Sequence, residues 1–181
     1  MSNQPHIRYI PVMKSHQNIA RRHHAFTLPE MLAVITIIAI LASIALPSFT
    51  GRIVRKQIDE AIPLTDVAKK PIASAWGSTQ TFPRDNAAAG LPSADKIVSN
   101  YVSAVAVQDG VINLTFGNSV HGALAGKILT IRPAVISDAP IVPITWVCGK
   151  ADVPDKMTVK GSDQTTVPET YLPVGCRKLK H

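Results

Sequence analysis

The spacing of apolar positions changes twice along this chain, and each change predicts a different kind of element. Met31 to Phe49 is a run of nineteen residues without a charge, about the length that one helix needs to cross a bilayer core. Beyond it, Ile53, Val54, Ile58, Ala61, Ile62, Leu64 and Val67 recur near helical spacing among Arg52, Arg55, Lys56, Asp59, Glu60 and Lys69. The first stretch is apolar all round; the second has one apolar face to bury. Together they predict a single long helix from about Phe26 toward Trp76. Pro47 and Pro63 should kink it, and an end before Pro71 is the alternative to an end near Trp76, because an interior proline removes a backbone donor and crowds the preceding turn.

The period then falls to two. Gly77 to Asp95 is rich in small and turn-forming residues and reads as a loop. Tyr101 to Val107 and Val111 to Phe116 flank Asp109-Gly110, a dipeptide that favours a tight hairpin turn. Lys127 to Ile131 and Ile144 to Cys148 complete a predicted four-stranded antiparallel sheet, and residues 149–176 read as a proline-bearing loop. The expected fold class is α+β, with the amphipathic helix half packed on the sheet.

Charge divides the chain differently. Of 19 Lys and Arg, four (Arg8, Lys14, Arg21, Arg22) lie in residues 1–25, which hold none of the 12 Asp and Glu. The net +7 therefore falls to +3 for residues 26–181, weak evidence for a polyanion partner. Cations before a membrane helix stay on the cytoplasmic side, so everything after Phe49 should face the periplasm or the exterior. Arg21, Arg22, His23 and His24 read as topology determinants rather than a metal or nucleic-acid patch.

Glu30 stands at the edge of the apolar run, where an acidic residue on a membrane helix costs roughly 2.5–3.5 kcal/mol and calls for a partner. Cleavage before Phe26 would create an α-amine four residues away. A secretory signal places its small-residue cleavage site after the apolar core, whereas here Ala25 precedes it. Cutting after Ala25 would discard the cations and keep the apolar helix. Ala42-Ser43-Ile44-Ala45 could serve as a site of the usual kind, and Met13 is an alternative start to Met1; the residues leave both open.

Ala25-Phe26-Thr27-Leu28-Pro29-Glu30 followed by the apolar run resembles the class III signal of type IV prepilins. Phe82-Pro83, Asn86 to Leu91, Trp146-Val147-Cys148 and Tyr171 to Arg177 are similar to further blocks of the type IVa pilin group. The resemblance implies a leader (1–25), a membrane or filament-core helix (26–49) and an amphipathic half with a globular head (50–181). It implies cleavage between Ala25 and Phe26 by a prepilin peptidase, N-methylation of Phe26, a role for Glu30 in methylation and subunit registry, and helix loosening at Pro47. Cys148 and Cys176 would bound the C-terminal region as a disulfide, as two cysteines in an oxidising compartment are expected to do. Two departures stand out: the family usually has Gly where this chain has Ala25, and an aliphatic residue where it has Pro29.

The implied function is a structural subunit of a type IV pilus, a homopolymer with no cofactor, metal or enzymatic activity. It would be held in the inner membrane as a precursor and then displayed as a surface filament. Implied partners are identical subunits, the prepilin peptidase and an assembly ATPase with its platform protein and secretin. The implied roles are adhesion, twitching motility or DNA uptake, with DNA or a host surface as possible ligand. A minor pilin, a type II secretion pseudopilin and an unprocessed single-pass anchored binding domain are the alternatives. The Cys148–Cys176 region speaks against the pseudopilin. Asn113-Leu114-Thr115 fits a glycosylation sequon but falls in an expected strand. The Arg177-Lys178-Lys180 tail, His121 and His181 read as solvated, and no Ser/His/Asp set, phosphate loop or catalytic carboxylate pair is present in the sequence.

Overall fold

The computed structural model describes residues 26–178, with side chains at all of these except 45–48. Two compact units meet between Leu41 and Ala42. Helix α1 (Leu28–Ala61) leads into a 3-10 turn (Ile62–Thr65) and helix α2 (Asp66–Thr79). A sheet follows: β1 (Val102–Gln108), β2 (Val111–Phe116), β3 (Ile128–Val135), β4 (Thr145–Cys148) and β5 (Thr158–Val159).

In the first unit every described side chain of residues 26–41 is exposed in the single chain. Leu28 to Thr79 contains the one helical stretch, among the described residues, long and apolar enough to cross a membrane, with a mean hydropathy of 2.5 in its most apolar window. Helical geometry satisfies the backbone there, as a bilayer demands, and the Thr36 hydroxyl donates to the Leu32 carbonyl at 2.7 Å.

In the second unit Val54, Ile58, Ala61, Thr65, Ala68, Ile72 and Trp76 are buried. At about 100° per residue these seven fall within an arc of roughly 80°, so the buried stripe is narrower than expected. Ile53 and Val67 lie outside it, 39% and 48% exposed. At Pro63 the expected disturbance takes the form of the 3-10 turn, where the buried Thr65 hydroxyl donates to the Ile62 carbonyl at 2.7 Å. The helical assignment runs unbroken through Pro47 and Gly51.

Of the two expected ends, the one before Pro71 is not taken; α2 continues past Trp76 to Thr79. The carbonyl that the missing Pro71 N–H would have used belongs to Val67, on the exposed side, where water can serve it. The stop comes at Gln80, whose left-handed φ of 55° lets its N–H close on the Trp76 carbonyl at 2.9 Å.

The sheet runs β1-β2-β3-β4, antiparallel throughout, so the four expected strands are present. Two details differ. β3 extends past Ile131 through Pro133 to Val135, and β5 adds a fifth strand. Ala134 pairs with Thr145 of β4 and with Val159 of β5, so β5 continues the flank that β2 occupies lower down. Pro133 sits where β2 has ended and β5 has not begun, and its lone acceptor takes Lys160 N–H at 2.9 Å. A strand tolerates proline where no donor is required.

A register shift between Val102 and Ala104 bulges β1. It turns both Val102 and Val105 inward although their numbers differ in parity. The core closes around Ile58 and Ile72 from the helices and Val105, Leu114, Phe116, Leu129 and Ile131 from the sheet. The expected hairpin forms at Asp109 (φ 49°) and Gly110 (φ 80°). A Cβ at Gly110 would lie 2.6 Å from the Phe82 ring, so the turn needs glycine for its φ and for its neighbour.

Candidate functional site

Helix α1 begins one residue after Thr27, whose carbonyl accepts the N–H groups of Glu30 and Met31, both at 3.1 Å. Glu30 is the third helical residue, and its Oε2 accepts the Thr27 N–H at 3.4 Å. This is the carboxylate half of a capping box. A negative charge in the first turn also opposes the positive end of the helix dipole. Pro29 fits beside it, because a donor in the first turn has no intrahelical partner. The carboxylate thus has a local partner in a single chain, and the exposed Phe26, Leu28 and Met31 beside it are large apolar side chains.

Ala25 and the basic residues before it lie outside the described residues. Pro47 lies within α1, nineteen residues after Leu28. Of the expected assembly residues, Glu30 lies in the first turn of α1 and Phe26 two residues before the helix begins, both exposed.

Cys148 and Cys176 are disulfide-bonded, with Cα atoms 4.6 Å apart. The bridge joins the end of β4 to a short 3-10 turn (Val174–Cys176). Between them the chain is pinned by more than the bridge. Thr166 N–H donates to the Ile128 carbonyl at 2.9 Å and Thr165 Oγ1 accepts the Thr130 N–H at 3.1 Å, so residues 164–166 line the flank of β3 that β4 leaves open. Arg55 on α1 donates from Nε and Nη2 to the Thr170 carbonyl at 3.2 and 2.8 Å, tying the helix to this region.

Asn113 is buried and accepts the Thr130 hydroxyl at 2.9 Å; the sequon is part of the sheet's packing. Asn86 stood in the sequence only as part of a turn-rich stretch and of one pilin-like block, with no role attached to it. Its amide donates to the Pro92 and Val105 carbonyls at 2.9 and 3.0 Å, and its carbonyl accepts the Val107 N–H at 2.7 Å. It thereby fastens the loop after α2 along the free edge of β1. Among the described residues no three His, Cys, Asp or Glu side chains gather in metal-binding geometry. The Asp95 carboxyl is held below its usual value chiefly by a hydrogen bond with Ser93.

The head matches a known family over its whole length. The profile described as "Pilin (bacterial filament)" covers residues 54–177, and the prokaryotic N-terminal methylation motif covers residues 20–46. The chain belongs to the type IV pilin family. Among its relatives, the type IV major pilin protein PilE of Neisseria gonorrhoeae is 35% identical over 163 residues, spanning 84% of this chain and 92% of that one. A fimbrial protein of Neisseria meningitidis serogroup B is 29% identical over 161 residues, with the same coverage of both chains. The fimbrial protein EcpC of Eikenella corrodens is 30% identical over 155 residues, 84% of this chain and 89% of its own. The pilin fold has its expected parts here: a long N-terminal helix, an antiparallel sheet of more than four strands and a C-terminal disulfide. Pilins are structural proteins, a family of filament formers whose precursors are processed at the N-terminus.

Proposed function

We propose that this chain is a structural subunit of a type IV pilus, cut after Ala25, N-methylated on Phe26 and polymerised through its apolar helix. The observation that carries this reading is the first turn of α1. A carboxylate that needs neutralising stands four residues from the proposed new amine, on an exposed apolar helix joined to a pilin head. Residues 1–25 act as a leader that keeps its cations inside, 26–49 as the membrane and then filament-core segment, and 50–181 as the rest of the subunit with its head. In the filament the Glu30 carboxylate pairs with the Phe26 amine of a neighbouring copy. In a low-dielectric core such a pair attracts strongly, whereas either charge alone is penalised. Pro47 loosens α1 where helices from several copies crowd together.

The bilayer already shelters the apolar surface that the filament core buries at roughly 25 cal/mol per Å². Extraction therefore needs work, supplied by an assembly ATPase acting through a platform protein, with a secretin as the exit. The precursor resides in the inner membrane with its head in the periplasm, and the product is a surface filament serving adhesion, twitching motility or DNA uptake. The deciding experiment is the intact mass and N-terminal sequence of the protein in sheared surface filaments and in membranes. Material beginning at Phe26 with one added methyl supports cleavage, methylation and assembly together. Protein confined to membranes with its leader intact defeats the reading and favours the anchored domain.

A further inference from the structure

An open polymer of one chain needs two different surfaces that fit each other, since a head-to-tail contact repeats without closing. The second unit presents such a pair at opposite ends of its helical stretch. Arg55 and Trp76 mark these ends, roughly 30 Å apart at about 1.5 Å per residue.

At the Arg55 end, the Thr170 carbonyl accepts Arg55 at 2.8 Å and Arg177 Nη2 at 3.3 Å. Two guanidiniums converge on one neutral acceptor, and among the described residues neither is in an ion pair. Along this end lie Asp59, Glu60, Asp152 and Glu169, against Arg52, Arg55, Lys56, Lys150, Arg177 and Lys178. Beside Arg177 the disulfide-held turn pushes out Val174, 73% exposed. The result is an apolar knob on a rigid turn with a cationic surround.

At the Trp76 end the relief and the charge are reversed. Ala73, Trp76 and Gly77 on α2 and the loop Pro140 to Ile144 line an apolar groove of about 600 Å³. Ile141 on its lip is 92% exposed, and the buried indole N–H of Trp76 has no partner. The Trp76 ring stacks on Phe82 at 4.7 Å, and Phe82 abuts the hairpin turn at Gly110. Asp109 stands on that turn, Asp85 beside it through the Arg84 carbonyl, and Asp163 near it through the Gln164–Gln108 bond. With Asp138 just before the groove loop and Asp66 on α2 they number five, against Lys69, Lys70, Arg84 and Lys160.

We propose that these two surfaces are one subunit contact: Val174 of one copy, flanked by Arg177 and Lys178, seats in the Trp76–Ile141 groove of the next. An apolar centre with a charged rim is the usual anatomy of a specific interface. Opposite charge on the two rims sets direction and rejects the same end of another copy. The proposal rests on the filament reading and adds which head surfaces meet.

Cysteine cross-linking in the full-length protein as sole pilin tests it, with wild-type sheared filaments first shown to begin at methylated Phe26. A chain carrying both Ile141→Cys and Val174→Cys should give a ladder of disulfide-linked multimers in filaments under mild oxidant, and either single variant should not. Lys178→Glu and Asp138→Lys, both exposed, should each lower sheared filament about ten-fold. The two together in one chain should recover most of it. Cellular protein with an intact Cys148–Cys176 bridge serves as the folding control. Absence of a ladder beyond the single-cysteine level overturns the contact, as does wild-type filament yield from both charge variants. Normal filaments of Lys178→Glu that no longer retain a duplex DNA fragment would give the cationic end to a polyanion, and also overturn it. Wild-type protein absent from filaments sinks the filament reading itself, and the contact with it.

Discussion

Replacing Asn86 with alanine should be among the most damaging single changes in the head, although Asn86 lies in a loop. Its side chain makes three hydrogen bonds, two of them to the outward-facing Val105 carbonyl and Val107 N–H of β1. Both residues are buried, at 0% and 5% exposure, so water cannot replace the lost partner. The third partner, the Pro92 carbonyl, belongs to an exposed residue and can be rehydrated. At about 1–3 kcal/mol for each buried group left unpaired, the expected loss is about 3–4 kcal/mol. For a unit of this size that lowers the melting temperature by about 10 °C. The assay is thermal unfolding in detergent followed by tryptophan fluorescence, which reports the head through Trp76 and Trp146, with amide exchange read at Val107. Asn86→Asp is the informative control. Its carboxylate still accepts from Val107 but faces two carbonyl oxygens, so the folded state raises its pKa above the unfolded value. Its penalty should be largest near neutrality and shrink as pH falls through that raised pKa. Melting within about 3 °C of wild type for Asn86→Ala, or unchanged exchange at Val107, would refute the reasoning.

Other substitutions probe other parts of the argument. Glu30→Ala as sole pilin should abolish or severely reduce filaments while leaving a folded, membrane-held subunit; normal piliation would count against the Glu30–Phe26 pair. Cys148→Ser should cost the head about 3.5 kcal/mol on the loop-entropy model, and limited proteolysis should show new cuts within residues 149–176 and none in α1. Gly110→Ala should destabilise by about 1–3 kcal/mol, because both its φ and the Phe82 ring exclude a side chain, with altered Trp76 fluorescence as the readout. Thr65→Val should cost about 1 kcal/mol through the lost bond to Ile62, measured by the same melting assay.

The long helix, the strands and the hairpin were legible because each rests on a local pattern: an uncharged run, a period, an Asp-Gly pair. The place of Glu30 in the first turn of α1 was legible for a similar reason, since the uncharged run that follows it marks where a helix starts. Pro71 was weighed as an alternative end because of its missing donor, and the fold gives that donor no work on the exposed Val67 side of α2. Pro133 was not read at all; it lies in the gap between β2 and β5, where no donor is required either. The roles of Asn86, Arg55 and Thr170 could not be read in advance. Their bonds span long sequence separations, 115 residues for Arg55 and Thr170, and nothing local marks an asparagine that will meet a strand edge. The narrow buried stripe was readable in principle, because a strict 100° step already puts Val67 on the far side.

The loop that Asn86 fastens along β1 also decides what kind of polymer this chain avoids. A bare edge strand is an invitation for a neighbour's backbone to add another strand, and repetition of that step yields a cross-β fibre. A subunit crowded at high density in a membrane or filament meets its copies constantly, so such an edge would be a standing hazard. Here the outward groups of Val105 and Val107 are already answered by a side chain of the same molecule. A chain of a filament-forming family thus has this strand edge closed to company.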